Sequence, residues 1–175
     1  MHPSSIQNMA KVQNKYLRHI GVGSKVLDVG GRGSGRDRSY KSLFPGTTFY
    51  IADIQDGQNV THVMPGPYTL PFESETFDLI VSGQMLEHCS NPFKSVAEMK
   101  RVLKKDGYLV LIAPSTGPRH DYQDGWRFLD DAFRFIVEDI GGVEIIADWI
   151  DRGPFMTNDR SSKWQDHVFV GKRIS

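Results

Sequence analysis

The sequence predicts an α/β fold, a three-layer sandwich in which a mostly parallel sheet lies between helices. Short apolar segments typical of buried strands alternate with segments whose apolar residues recur at helical spacing. The segment Val26–Val29 leads directly into a glycine-rich turn, as a parallel strand does before a helix. The chain has 175 residues, and we expect residues 1–175 to form one domain whose last strand runs antiparallel.

The composition argues against several classes of function. Lys and Arg number 21, as do Asp and Glu, so the net charge is zero and a broad nucleic-acid-binding face is not expected. Cys89 is the only cysteine, which excludes an internal disulfide and a thiolate metal cluster. The sequence has no apolar segment long enough for a membrane span or a signal peptide, so we expect a cytoplasmic protein without a membrane partner.

The first half of the chain carries two candidate helices and three candidate strands. The helices end at Gly21 and before Pro45, because these residues commonly end helices. The connection from Asp53 to Val60 is too short for a crossover helix, so the fold is expected to be trimmed after the second strand. The elements are helices over Ser5–Ile20 and 36–43 and strands over Val26–Val29, Thr48–Ile51 and Val60–Met64, the last one weak.

The second half continues the alternation. Pro92 suits the first turn of a helix, and Asp106 with Gly107 is expected to end that helix. Pro114 is expected to stop the strand that follows. The elements are strands over Phe77–Ser82, Tyr108–Ala113, Val143–Trp149 and His167–Val170 and a second helix over Asp130–Ile140.

The glycine turn after the first strand is the strongest candidate for a ligand site. Gly30, Gly31 and Gly33 lack Cβ atoms, so a ligand can lie against the backbone there. Their spacing does not fit the G-x-G-x-x-G pattern of dinucleotide sites, which makes an NAD-dependent oxidoreductase a weak alternative. Asp28 suits a cationic amino-acid end and Asp53 a ribose diol, a pair that favours S-adenosylmethionine.

Four motifs, in this order, resemble those of class I S-adenosylmethionine-dependent methyltransferases. They are VLDVGGRGSG at 26–35, LPFESETFDLI at 70–80, GQMLEH at 83–88 and MKRVLKKDG at 99–107. The segment 113–128 is similar to small methyltransferases of the type 11 group. The resemblance implies a Rossmann-like fold, methyl transfer, and S-adenosylhomocysteine as the product formed from the cofactor.

The resemblance also assigns candidate cofactor residues and marks departures. Asp53 stands where the family places its ribose acid, and the adjacent Ile54 is a further cofactor-binding candidate. Asp28 either contacts the methionine amine or orients the turn. Ser82, Gly83 and Gln84 follow the fourth strand, where open α/β sheets bind ligands. Arg32 and Ser34 replace glycines usual in the family, and Met64–Tyr68 offers no acid for the adenine amino group.

The loop His120–Arg127 is the candidate acceptor site, because it follows the fifth strand and is polar. His120 is predicted to act as the general base and Asp121 to orient it, with His88 a further catalytic candidate. The residues predicted to contact the acceptor are Tyr122, Trp126 and Arg127. In the alternative interpretation Trp126 anchors the loop and Arg127 pairs with Asp124 or Asp130.

The predicted function is methyl transfer to an oxygen or nitrogen of a small molecule. A sugar or polysaccharide precursor is implied only because similar methyltransferases often accompany bacterial polysaccharide or glycosylation enzymes. The alternative is a catalytically silent cofactor-binding module that acts as a partner subunit. No metal is expected, because the 6 histidines do not pair at ligand spacing. The first helix, within residues 1–22, is expected to cover the cofactor site or to form a homodimer contact.

Overall fold

A computed structural model describes residues 3–33, 39–120, 123–152 and 164–175, and these residues form one seven-stranded sheet. The strands are β1 (Lys25–Val29), β2 (Thr48–Asp53), β3 (His62–Val63), β4 (Phe77–Gly83), β5 (Leu103–Thr116), β6 (Val143–Asp151) and β7 (Gln165–Arg173). Their order is β3-β2-β1-β4-β5-β7-β6. Neighbours from β3 to β5 are parallel, and β7 runs antiparallel to both β5 and β6. The predicted antiparallel last strand is confirmed.

Helices cover both faces of this sheet, which confirms the predicted three layers. They are α1 (Pro3–Tyr16), α2 (Pro92–Val102) and α3 (Ala132–Ile140), with 3₁₀ turns over Tyr40–Leu43 and Leu86–His88. Residues of α2 and α3 belong to one buried cluster, whereas α1 and Tyr40 belong to the other. The three helices and the Tyr40 turn therefore bury apolar side chains against the sheet.

The strands at the centre are apolar throughout because both of their faces are buried. Adjacent residues of β1 show this directly, since Leu27 packs in the cluster of α2 and α3 and Val26 packs in the cluster of α1. In β5, Leu109 and Val110 divide between the same two clusters. This arrangement brings the carboxyl ends of β1, β2 and β4 to one edge of the sheet.

Helix α2 starts where the sequence predicts, but it ends earlier than predicted. Asn91 caps the helix, accepting a hydrogen bond from the Lys94 N–H at 3.1 Å, and Pro92 occupies the first turn. The helix was predicted to run through Leu103 to a stop at Asp106 and Gly107. It ends at Val102 instead, because Leu103 already pairs with Phe77 of β4.

Strand β5 is correspondingly longer than predicted. Asp106 has a φ of 65° within an irregular segment of β5, where the register to β4 shifts. Pro114 does not stop the strand, which pairs with β7 at Pro114 and again at Thr116 across a second register shift. Missing donors at proline are tolerated at such irregularities.

Three smaller differences lie in the first half. Helix α1 ends at Tyr16 rather than Ile20, and the weak third strand is only His62–Val63. The second predicted helix is a 3₁₀ turn over Tyr40–Leu43, and its beginning at 36–38 lies outside the described residues. Residues 54–61 contain no helix, which confirms the trimming after β2, and residues 64–76 contain none either.

Helix α1 is attached to the sheet through buried polar contacts. The Ser5 and Tyr40 hydroxyls lie 2.5 Å apart, and the Asn8 amide donates to the Asp166 carboxylate at 3.3 Å. These contacts fix the helix on the sheet beside the carboxyl end of β4. Covering the cofactor site and forming a homodimer both stay predictions. Among the described residues, none of the helices has the length and apolar character needed to cross a membrane.

Candidate active site

The glycine turn after β1 is built so that side chains would not fit. A Cβ at Gly30, whose φ is 81°, would lie 2.3 Å from Met85 Cγ. A Cβ at Gly31 would lie 2.4 Å from the Asp28 carboxylate, and Gly33 has a φ of 55°. The turn therefore needs glycine at these positions for space or for conformation. Ser34, one of the two predicted departures, lies outside the described residues.

Asp28 lies beneath this turn and is fully buried. Neither of its carboxylate oxygens has a hydrogen-bond partner in the described part of the chain. Burial, with a contribution from the Asp53 charge, raises the pKa of Asp28 to about 7. The sequence left open whether Asp28 orients the turn by accepting backbone hydrogen bonds, and such bonds are absent from the described contacts.

Asp53 ends β2 beside the turn. Its carboxylate accepts hydrogen bonds from the Gln55 N–H at 3.0 Å and, at the long distance of 3.4 Å, from the Arg32 N–H. Arg32 therefore contributes its backbone to this acid, while its side chain packs over Gly57. Ile54 is 55% exposed next to Asp53. An exposed apolar side chain beside a carboxylate is the pairing that a nucleoside requires.

A cavity of about 130 Å³ opens beside Asp53. Its walls come from the ends of β1 and β2, the segment after β3, and the segment after β4. They include Val29, Gly30, Asp53, Ile54, Met64, Pro67, Tyr68, Met85 and His88. The segment Met64–Tyr68 thus lines the cavity through apolar side chains. The acids Asp28 and Asp53, which are separated in sequence, lie at the same edge of the sheet.

The three predicted residues at the end of β4 form hydrogen bonds and close contacts within the protein. The Ser82 hydroxyl donates to the Val29 carbonyl at 2.9 Å, which joins β4 to β1. A Cβ at Gly83 would lie 1.8 Å from the Tyr40 hydroxyl oxygen. Gln84 has a φ of 58°, and its side-chain amide donates to Asp166 at 2.9 Å. These residues shape the edge, and direct contact with a cofactor stays a prediction.

A second cavity, of about 330 Å³, adjoins the first. The two share wall residues that follow β4, and the second extends toward the loop after β5. The shared residues are His88, Cys89, Ser90 and Gln123, and the second cavity adds Glu87, Arg119, Asp124, Gly125 and Trp126. A ligand in one cavity can therefore face a ligand in the other across this wall.

His120 lies beside this second cavity and contacts the acid Asp124. Its Nδ1 lies 3.0 Å from Asp124 Oδ2, and its backbone N–H donates to the same oxygen at 3.0 Å. Asp121 and Tyr122 lie outside the described residues, so their roles stay predictions. The rings of His120 and His88 have centroids 5.0 Å apart. The fold therefore brings the two predicted catalytic histidines together.

Arg127 pairs with Asp124, as the alternative interpretation held. The guanidinium donates to both Asp124 oxygens and to three backbone carbonyls, and it holds the pKa of that carboxyl well below its usual range. Its donors are therefore engaged within the protein. Trp126 donates its indole N–H to the Cys89 carbonyl at 2.8 Å and remains 40% exposed. It anchors the loop and still presents part of its ring.

Glu87 is the functional candidate that the sequence analysis did not assign. Its carboxylate is fully buried, and neither oxygen has a hydrogen-bond partner in the described structure. Burial and the Asp124 and Asp166 charges raise the pKa of Glu87 to about 8. The signal available in the sequence was its position next to His88 at the end of β4. Sequence could not show that a 3₁₀ turn directs this carboxylate inward.

The expectation that no metal binds rested on histidine spacing along the chain. The fold nevertheless gathers Glu87, His88 and His120, each of which offers a ligand atom within 4.8 Å of those of the other two. His88 and His120 come from different sheet connections, so no motif spacing could have paired them. The distances between these side chains in the fold, and not their spacing in the sequence, therefore identify the cluster.

Comparisons with known proteins agree with this geometry. Residues 31–111 match a family model described as a methyltransferase domain. A ubiquinone/menaquinone biosynthesis C-methyltransferase from Psychromonas ingrahamii is 30% identical over 157 residues, which cover 77% of this chain. The match spans 62% of that relative, so this chain corresponds to less than two thirds of its length.

Two solved structures show the same fold. The YcgJ protein of Bacillus subtilis superposes with a TM-score of 0.70 at 16% identity, covering 99% of this chain and 100% of that one. A Burkholderia thailandensis 1,6-didemethyltoxoflavin-N1-methyltransferase, solved with its substrate and S-adenosylhomocysteine, superposes with a TM-score of 0.68 at 13% identity. That match covers 98% of this chain and 79% of the other.

Proposed function

We propose that the chain is a class I S-adenosylmethionine-dependent methyltransferase that transfers a methyl group from this cofactor to an oxygen or nitrogen of a small molecule. The observation that carries the proposal is the pair of adjoining cavities at the carboxyl edge of the sheet, which share His88 and Gln123. One cavity suits the cofactor and the other the acceptor.

The residues that line the first cavity suit the ribose and the base of the cofactor. The Asp53 carboxylate would accept hydrogen bonds from the two ribose hydroxyls, and Ile54 with Met64 would pack against the base. Gly30 provides the close approach to backbone that a side chain would prevent. When bound, S-adenosylmethionine supplies a methyl group already activated on a sulfonium sulfur. The protein therefore contributes mainly by positioning, an effect that can supply ~7–11 kcal/mol of the barrier.

The second cavity supplies polar groups for an acceptor. Trp126 presents a partly exposed ring suited to stacking on a sugar, and Arg119 lines the same cavity. Tyr122 is retained as an acceptor contact. Arg127, predicted to bind the acceptor directly, acts in this proposal by holding Asp124. A hydroxylated small molecule, with nucleotide sugars tested first, is therefore the proposed acceptor class.

His120 is proposed to take the proton that the acceptor loses as the new bond forms. Asp124 fixes its Nδ1 side, so the ring keeps a defined orientation toward the cavity. The acceptor lone pair forms the bond to the methyl carbon, the carbon–sulfur bond breaks, and its electron pair remains on sulfur. Asp121 is retained as a further orienting residue and His88 as the neighbouring imidazole.

The test is transfer of a radiolabelled methyl group from S-adenosylmethionine to nucleotide sugars, phenols, quinols and small amines. Wild type should methylate an oxygen or nitrogen of at least one of these. His120→Gln should lower kcat by about 10²–10⁴-fold, because a positioned acid–base group contributes that much, without changing S-adenosylhomocysteine affinity. His19→Gln, an exposed histidine that contacts Tyr108, is the matched control and should leave kcat unchanged.

Other results would change the proposal in defined ways. Methylation at carbon, the reaction in the name of the Psychromonas relative, would overturn the oxygen or nitrogen acceptor while keeping methyl transfer. Binding of S-adenosylhomocysteine without turnover on any acceptor would favour the silent partner subunit. Unchanged kcat in His120→Gln would remove His120 from the mechanism.

A further inference from the structure

Glu87, His88 and His120 form a cluster of ligand-type side chains at the wall between the two cavities. Glu87 and His88 belong to the 3₁₀ turn after β4, and His120 follows β5. One ligand atom from each lies within 4.8 Å of the other two. Two imidazoles and one carboxylate are a ligand set that divalent transition metals favour.

The Glu87 carboxylate is the most informative member of this cluster. It is fully buried, and neither oxygen accepts a hydrogen bond from any part of the chain that the structure describes. A buried carboxylate without such bonds is costly unless a cation accompanies it. The nearest cationic candidate is the His88 ring, whose Nε2 lies 3.7 Å from Glu87 Oε1, beyond a hydrogen bond.

Both histidines are held through their Nδ1 atoms. His88 Nδ1 contacts the Gln123 carbonyl, which can only accept, so Nδ1 is the donor in this contact and Nε2 lies on the side of Glu87. His120 Nδ1 contacts the Asp124 carboxylate at 3.0 Å. Histidines that bind metals usually donate their other ring N–H to a carbonyl or a carboxylate.

The arginine closest to influencing Glu87, Arg127, is hydrogen-bonded to another acid. Asp124, which orients His120, is already paired with Arg127 through two hydrogen bonds. Glu87 itself accepts no hydrogen bond from the described residues, and the described ion pairs place only the His88 ring within 4 Å of its carboxyl oxygens. A dication with two neutral imidazoles would satisfy this carboxylate.

We propose that Glu87, His88 and His120 bind one divalent transition-metal ion, with Zn²⁺ the reference ion, at the wall between the two cavities. Ligand atoms in a tetrahedral Zn²⁺ site are roughly 3.3 Å apart, so the side chains would move inward by on the order of 1 Å. Three protein ligands leave one position open toward the second cavity, as in catalytic zinc sites.

The role of this ion rests on the proposed function, whereas its binding does not. An acceptor hydroxyl at the open position would have a lower pKa, so its proton would pass to solvent before the oxygen receives the methyl group. His120 would then be a ligand rather than the proton acceptor. Loss of activity in His120→Gln would fit both roles, so metal binding must be measured directly.

The experiment is a calorimetric titration of the full chain, purified without a polyhistidine tag and stripped with a chelator, with ZnCl₂ in the absence of cofactor. We expect one equivalent to bind with a micromolar or lower Kd. Glu87→Gln, His88→Gln and His120→Gln should each weaken binding by at least 10-fold, and His19→Gln should not. Mn²⁺ should bind at the same site more weakly.

Each outcome bears on the proposal. No binding by wild type, or equal binding by wild type and His120→Gln, would overturn it. If Glu87→Gln fails to fold, His120→Gln still decides, because His120 belongs to a surface loop with its side chain 31% exposed. Zn²⁺ binding by a protein that does not bind S-adenosylhomocysteine would keep the metal site and remove the proposed function. Methyl transfer by a protein that takes up no Zn²⁺ would keep the proposed function and remove the metal site.

Discussion

Asp28 and Glu87 are two carboxyl groups that the fold buries without a hydrogen bond from the described residues. Each lies at the carboxyl end of a central strand, where a ligand is expected. Asp28 lies under the glycine turn and faces the charge of Asp53, and the buried Tyr40 hydroxyl also feels the Asp28 charge. Burial therefore disfavours the charged form of Asp28, and the free energy of unfolding is lower at pH values where Asp28 is ionised.

Replacing Asp28 by Asn is expected to change how stability depends on pH. The folded-state pKa is about 7 against an ordinary value of 3.8, so between these values the unfolded chain loses the proton that the folded chain keeps. The wild-type free energy of unfolding should therefore fall as pH rises from 4 to 7, by up to about 4 kcal/mol. Asp28→Asn should lack that fall and be the more stable protein at pH 8.

Urea denaturation of both proteins at pH 5 and pH 8 measures this difference. The exposed Asp139 of α3 provides the control, since Asp139→Asn should keep the wild-type pH dependence. Equal pH dependence in wild type and Asp28→Asn would show that Asp28 is not a buried acid. Asp28 must then hydrogen-bond or meet solvent in a way that the structure does not contain.

Single residues were predictable from sequence where the strand itself places them. Asp28 and Asp53 end apolar segments, so their position at one edge of the sheet followed from the alternation of strands and helices. The contact of His120 with Asp124 was not predicted, because sequence adjacency pointed to Asp121 alone. Glu87 was missed because its inward direction depends on a 3₁₀ turn.

At the scale of elements, the carboxyl end of β4 is the junction on which the site depends. Ser82 bonds to β1, Gly83 contacts the Tyr40 turn and Gln84 reaches β7. The strand thereby fixes the relative positions of both cavities. Its last residue must be glycine because the Tyr40 side chain is fully buried against it.

Gly83→Ala is expected to destabilise the protein by about 3 kcal/mol or more. The added methyl group would lie 1.8 Å from the Tyr40 hydroxyl oxygen, and Tyr40 has no exposed surface into which it can move. Gly21→Ala is the matched control, because a Cβ there meets no atom within 4 Å. Chemical denaturation of the two variants should separate them, and equal midpoints would contradict the contact with Tyr40.

Element boundaries were less predictable than element types. The apolar face of α2 continues through Leu103, so periodicity alone placed Leu103 in the helix. Pairing of Leu103 with Phe77 of β4, a contact remote in sequence, ends the helix at Val102. Pro114 was likewise expected to end its strand, but the strand continues because β7 pairs with it at Pro114 and at Thr116.

At the scale of the whole molecule, the mostly parallel sheet between helices follows from the alternation of strands and helices along the chain. Both buried clusters draw on the same central strands, so the predicted three layers hold even where crossover helices are absent after β2 and β3. The edge of the sheet proposed to hold the cofactor was predictable, because the residues that form it lie at the carboxyl ends of β1, β2 and β4. The metal cluster was not, because it joins residues from two different loops.

The central claim is that the cavity beside Asp53 binds S-adenosylmethionine and its product. The most direct test is a calorimetric titration of wild type and Asp53→Ala with S-adenosylhomocysteine, with NAD as the control ligand. We expect micromolar binding of S-adenosylhomocysteine, weakened about 10- to 100-fold in Asp53→Ala by the loss of charged hydrogen bonds, and no binding of NAD. Absence of S-adenosylhomocysteine binding, or equal affinity in Asp53→Ala, would contradict the account.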